Sequence, residues 1–124
     1  MAKIVYIVED DDTLREVLGQ KLKTSGYQVV EAVNGEEGLR MMKETHPDIV
    51  LLDMMMPIMG GMQVLEEMQK DEKLKSVPVV VISNSGQPVE VEEARRLGAR
   101  DFLIKAAFDP EEVLEKVKRQ LGEE

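Results

Sequence analysis

Five short runs rich in β-branched or aliphatic residues, Ile4–Val8, Gln28–Ala32, Ile49–Leu52, Val79–Ile82 and Phe102–Ile104, recur at similar spacing, and each is the length of one strand. Between them apolar residues repeat with a helical period: Leu14, Val17, Leu18 and Leu22; Leu39 and Met42; Met62, Leu65 and Met68; Val91, Ala94 and Leu97; Leu114, Val117 and Leu121. The punctuation agrees. Gly26 follows the first helix, Asn34-Gly35 opens the second, Pro47 follows it, Gly98 ends the fourth, and Asp109-Pro110-Glu111-Glu112 reads as an N-cap signature. Strict alternation of strand and helix implies right-handed crossovers and a parallel sheet, and near-continuously apolar strands imply cover on both faces. The expected class is α/β, a three-layer (βα)5 doubly wound sandwich. At 124 residues and 43% hydrophobic content the chain fits one domain, residues 1–124, with enough apolar material for an ordinary core. The Gly-Glu-Glu end is expected to fray.

Charge and composition narrow the chemistry. A formal net charge of -9, from 25 acidic and 16 basic residues, repels nucleic-acid phosphates and anionic membrane surfaces, so neither is an expected partner. The absence of cysteine removes disulfides, thiolate catalysis and Cys-based metal sites, and suits a reducing compartment. His46, the single histidine, reads as a surface residue at a helix end. The apolar run before Glu9 is too short for a signal peptide or a membrane span, and a cytoplasmic location is expected.

In open sheets of this kind a site forms at the carboxyl edge, near the point where strand order reverses. Directly after the first strand stand Glu9, Asp10, Asp11 and Asp12; after the third, Asp53; after the fourth, Ser83; after the fifth, Lys105. Carboxylates gathered at one edge repel one another unless a cation sits among them. Magnesium, or manganese in its place, is the natural candidate: it takes oxygen ligands from one or two carboxylates together with phosphate oxygens. Lys105 adds a compact positive charge for one phosphate oxygen, and the Ser83 hydroxyl can hydrogen-bond to another. Together these make a receptacle for a phosphoryl group. Asp53 is the central choice of acceptor, because carboxylates do accept phosphoryl groups and the third strand should lie mid-sheet.

Plainer roles compete for some of these residues. Asp11 or Asp12 caps the first helix, and Ser-Asn-Ser-Gly after the fourth strand is ordinary loop composition. Met54, Met55, Met56, Met59 and Met62 read as loop and core packing.

The strings Ile7-Val8-Glu9-Asp10-Asp11, Asp48-Ile49-Val50-Leu51-Leu52-Asp53-Met54-Met55-Met56-Pro57, Ser83, and Gly98-Ala99-Arg100-Asp101-Phe102-Leu103-Ile104-Lys105 resemble the response-regulator receiver family of two-component signalling along essentially the whole chain. The resemblance implies a flavodoxin-like strand order of 2-1-3-4-5, for which the chemotaxis receiver is the general example. It implies Asp53 as phosphoacceptor and metal ligand, Asp10 as a direct metal ligand, Glu9 as a ligand through water, and the Met55 backbone carbonyl as the remaining protein ligand. Ser83 and Lys105 would contact phosphoryl oxygens, and Phe102 holds the place of the family's aromatic switch, although a plain core role suits it as well.

A histidine kinase, a histidine phosphotransfer protein or a small acyl phosphate would be the donor, acting by in-line transfer. A downstream effector or output domain would read the altered surface of the fourth helix, fifth strand and fifth helix. Such a domain is a signalling phosphoacceptor that promotes only its own phosphorylation and dephosphorylation, and no output domain is expected within these residues. A monomer is expected, or a weak homodimer through the same surface, where Arg95, Asp101, Glu111, Lys118 and Arg119 offer mixed charge.

The chain departs from the family pattern in two places. Ala106 follows Lys105 where proline is usual; a non-proline cis bond costs ~2.5–4 kcal/mol, so a trans bond and an altered path from Lys105 to Phe108 are expected. Asn84 replaces a small residue after Ser83 and stands where it can narrow access to Asp53.

Other functions use similar parts. A haloacid-dehalogenase-type phosphatase would place its nucleophile at Asp10 and leave Asp53 idle. A receiver-like module working without phosphate would keep the fold and lose beryllofluoride binding. A flavin-binding flavodoxin fits poorly with four consecutive acids in the first loop.

Overall fold

The structure, a computed structural model, describes residues 2–84, 88–106 and 109–123, with only the backbone described at 88 and 89. Strands and helices alternate without exception: β1 Ile4–Val8, α1 Asp12–Thr24, β2 Gln28–Ala32, α2 Gly35–Glu44, β3 Ile49–Asp53, α3 Gly61–Gln69, β4 Val79–Ser83, α4 Pro88–Arg96, β5 Ala99–Ile104 and α5 Pro110–Leu121. All strand pairs are parallel, in the order β2-β1-β3-β4-β5. The reversal of order falls between β1 and β3, so their carboxyl ends open a crevice there.

Side-chain alternation explains the three layers. Tyr6, Val8, Val50, Leu52, Val79 and Val81 pack on one face with residues of α2, α3 and α4, such as Met42, Leu65 and Ala94. Val5, Ile7, Ile49, Leu51, Val80 and Ile82 pack on the other with Leu18 and Leu22 of α1 and Val113 and Val117 of α5. Both faces of the central strands are therefore dry, which is why those strands stay apolar up to their ends apart from Tyr6, whose hydroxyl donates to the Met41 carbonyl at 2.8 Å.

The caps follow the expected residues. Asp11, Asn34 and Asp109 each accept a backbone N–H three residues on, opening α1, α2 and α5.

Three boundaries differ from the sequence reading. β3 and β4 each run one residue further, so Asp53 and Ser83 are the last residues of their strands rather than the first of their loops. β5 begins at Ala99, not Phe102, because Gly98 adopts φ 103 and turns the chain straight from α4 into the sheet. Arg100 is then an extra residue between the pairs Val79–Ala99 and Val80–Asp101. Of the Gly-Glu-Glu stretch expected to fray, Gly122 caps α5 at φ 71 and Glu123 accepts the Tyr27 hydroxyl at 2.6 Å, so these two are tied down, while Glu124 lies outside the described residues.

Close approach, not flexibility, selects glycine where α3 meets β3. A Cβ on Gly61 would stand 2.5 Å from the Asp53 carbonyl oxygen and 2.9 Å from the Met54 Cα. Gly61→Ala must therefore push the β3–α3 loop off Asp53, and chemical denaturation should show a loss of about 2 kcal/mol. A loss below about 0.5 kcal/mol would show that the loop absorbs the methyl group freely.

Candidate functional site

The carboxyl edge gathers Glu9 and Asp10 from the end of β1, Asp53 from β3 and Lys105 from beyond β5. Just past β1, Glu9 is fully buried while Asp10, Asp11 and Asp12 are exposed. Carboxylate oxygens of Glu9, Asp10 and Asp53 lie within 4.8 Å of one another. Lys105 Nζ donates to Asp53 Oδ2 at 3.0 Å and to Glu9 Oε2 at 3.2 Å. The Met55 amide donates to Asp53 Oδ1 at 3.3 Å, and the Asp11 amide to Glu9 Oε2 at 3.0 Å. Asp53, itself fully buried, thus has both oxygens engaged at the sheet's centre.

The electrostatics follow from that crowding. Burial, then hydrogen bonding to Asp53, pushes the Glu9 carboxyl up to about 8, against the opposing pull of the Asp11 amide and Lys105. Burial disfavours the Lys105 ammonium, yet the hydrogen bond and charge of Asp53, followed by those of Glu9, outweigh it and raise its pKa. Glu9 Oε1 is buried without a hydrogen-bond partner among the described residues. An orphaned carboxylate oxygen within an all-oxygen donor set is what a hard divalent cation completes, so these residues fit magnesium or manganese.

The other predicted residues are less uniformly placed. Ser83 is 2% exposed and its hydroxyl donates to a Glu90 carboxylate oxygen at 2.8 Å. Phe102 is half-buried against the core, with the Arg95 guanidinium 5.6 Å from its ring centroid. Asn84 and Ala106 are exposed, and the Lys105–Ala106 bond is trans, as expected; Phe108 lies outside the described residues. Of the methionines in the β3–α3 segment, Met54, Met56, Met59 and Met62 pack on the core, whereas Met55 is 66% exposed. Ile58 beside them holds φ 69, a conformation that costs a β-branched residue roughly 1–2 kcal/mol.

Two residues escaped the sequence reading. Arg15 donates to the Glu9 carbonyl at 2.8 Å and pairs with Asp12 and Glu31, which anchors the acidic loop. Glu90 holds Ser83. The spacing of Asp12 and Arg15 along one helix hinted at the first; nothing local signalled the second. At the surface suggested for self-association, Asp101 pairs with Lys116 at 2.9 Å, Glu111 pairs with Lys21 of α1 and Arg95 lies over the Phe102 ring, so charges there are engaged within the chain.

The family model described as the response regulator receiver domain matches residues 5–118. The chain belongs to that family. Among its relatives, chemotaxis protein CheY of Thermotoga maritima is 38% identical over 96% of this chain and 98% of its own. Protein PilH of Pseudomonas aeruginosa is 34% identical over 98% and 99%. The solved structure of Vibrio cholerae CheY4, 26% identical, superposes with a TM-score of 0.92 over 98% of this receiver and 100% of that chain. Longer transcriptional regulators also match, and the receiver spans 44–48% of their length. The fold is the flavodoxin-like one of CheY. Receiver domains are signalling domains of two-component systems, and membership displaces the phosphatase and flavodoxin readings. Among the described residues no helix is long and apolar enough to cross a membrane.

Proposed function

We propose that this receiver accepts a phosphoryl group on Asp53 in a magnesium-dependent reaction and thereby alters its α4-β5-α5 face toward a partner. The donor is a histidine kinase, a histidine phosphotransfer protein or a small acyl phosphate. Residues 1–124 act as one unit in this reading, a phosphoacceptor rather than an enzyme working on other molecules. The observation that carries it is the buried Asp53 carboxylate held by Lys105 beside the Glu9 and Asp10 oxygens.

In the transfer, an Asp53 oxygen forms a bond to phosphorus while the bond to the donor nitrogen or acyl oxygen breaks, and the electron pair leaves with the donor. Lys105 turns from its carboxylate partners toward a phosphoryl oxygen and offsets the added charge. Glu9, Asp10, Asp53 and the Met55 carbonyl would hold magnesium, Asp10 directly and Glu9 through water, and the metal when bound would supply positive charge for the phosphoryl oxygens. Ser83 and Phe102 carry the conformational response, with Asn84 and Ala106 as modulators of access and of the lysine's path. The receiver acts as a monomer or a weak homodimer, in the reducing cytoplasm, and without nucleic acid or membrane as a direct partner.

The test is covalent labelling with acetyl phosphate, followed by reductive trapping and peptide mapping. One label on Asp53, lost when a chelator removes magnesium, is the expected result. A label on Asp10, or labelling indifferent to the chelator, would refute the reading. No label on intact protein would favour a receiver that works through its surface without phosphate.

A further inference from the structure

Ser83 is already committed. Its hydroxyl carries a single proton, and that proton is donated to Glu90, seven residues on in the first turn of α4. While Glu90 holds it, it is not available to a phosphoryl oxygen on Asp53. We propose that Glu90 is a positioning residue that competes with the aspartyl phosphate for the Ser83 proton and so sets how readily the phosphorylated state forms. The inference rests on the reading that Asp53 takes a phosphoryl group.

The backbone makes this an exchange of partners rather than a loop rearrangement at Ser83. The Ser83 carbonyl accepts the Lys105 amide at 2.9 Å, and Ser83 pairs with Ile104 at the end of the sheet. With the main chain held on that side, the hydroxyl changes partner by rotating about χ1. Both acceptors are anionic, so each bond is charge-assisted, and removing one competitor should shift the balance measurably.

The exchange also has a destination. Besides the packing of Ala94, α4 is tied to β4 and β5 among the described residues by Glu90 on Ser83 and by Arg95 over the ring of Phe102. Both contacts involve residues expected to switch. When Ser83 turns to the phosphoryl oxygen, the first turn of α4 loses one of these two ties, and the helix that covers Phe102 is freed at its amino end. A charge event at Asp53 thereby reaches α4 through a single hydroxyl.

Beryllofluoride, a phosphoryl mimic, tests this with the full 124-residue chain in saturating magnesium. Titrations would compare wild type, Glu90→Gln, Glu90→Ala, Ser83→Ala and the Ser83→Ala/Glu90→Ala double variant. Glu90→Ala should tighten beryllofluoride binding by about five- to tenfold. Glu90→Gln, which keeps a neutral acceptor, should tighten it less. In the Ser83→Ala background the Glu90 substitution should have no effect. Amide exchange in the first turn of α4 should rise when wild type binds beryllofluoride, and should already be high in Glu90→Ala without it.

Equal tightening with and without Ser83 would mean that Glu90 acts only by distant charge repulsion, and would overturn the inference. So would unchanged or weaker binding by Glu90→Ala. If wild type fails to bind beryllofluoride at all, the phosphoacceptor reading falls and takes this one with it; binding without a Glu90 effect removes only the present inference.

Discussion

Lys105→Met is expected to slow labelling of Asp53 by acetyl phosphate about 100-fold, the size of effect seen when one preorganised donor is removed from a developing anion. Nζ sits 3.0 Å from one buried carboxylate and 3.2 Å from another. Its side chain is only 20% exposed, and those of Glu9 and Asp53 are 0% and 1%, so water screens the trio weakly. Methionine preserves most of the packing and deletes the charge. The Asp53 carboxylate then remains buried beside the Glu9 carboxyl without its cation, and metal-free stability at pH 7 should fall by roughly 2–3 kcal/mol. Magnesium should recover much of that stability, because a ligand that binds only the folded state stabilises it by mass action, but it should not recover the rate. A variant that labels at the wild-type rate would show that Lys105 only balances charge. A variant of unchanged metal-free stability would show that water already reaches the cluster.

The second large effect is a dependence of stability on pH that magnesium opposes. Glu9 is raised from 4.5 to about 8 in the folded protein. A carboxyl group whose folded pKa lies above its unfolded value binds its proton more tightly when folded. Its contribution to stability is therefore complete below about pH 4.5 and is lost as pH rises toward 8. Over that window the thermal midpoint of the metal-free protein should fall by roughly 5–10 °C from this group, and Glu9→Gln should flatten the trend. Magnesium competes with the same proton, so its affinity should instead climb through the window. Glu9→Gln should weaken magnesium binding about tenfold and remove most of the climb. Calorimetric titration at several pH values would check both. Metal affinity that is flat with pH would place Glu9 outside the metal's reach, whatever its burial.

The relation between sequence and site is best seen at the strand ends. Glu9, Asp10, Asp53 and Lys105 could be picked out because the preceding strands are apolar on both faces, so the first charged residue after each run must lie at the sheet edge. Helix-start punctuation located the caps Asn34 and Asp109 and left Asp11 and Asp12 as alternatives for α1, of which Asp11 is the cap. The strand-end rule could not tell Glu9 from Asp10, adjacent acids of which one is fully buried and the other exposed, because the outcome depends on what packs above the strand end. Nor could it find the start of β5. Ala99, Arg100 and Asp101 have no strand pattern of their own and are drawn into the sheet by pairing with Val79 and Val80.

The sequence by itself determined the alternation of strand and helix, the parallel sheet and the edge at which an acidic cluster and a lysine would meet, since each follows from periodicity and turn chemistry within a few residues. The tertiary structure alone decided that Glu9 is the buried acid, that Arg15 anchors its loop and that Glu90 holds Ser83. Those contacts are chosen by which side chains face one another once the helices have docked. No residue carries that information in its neighbours.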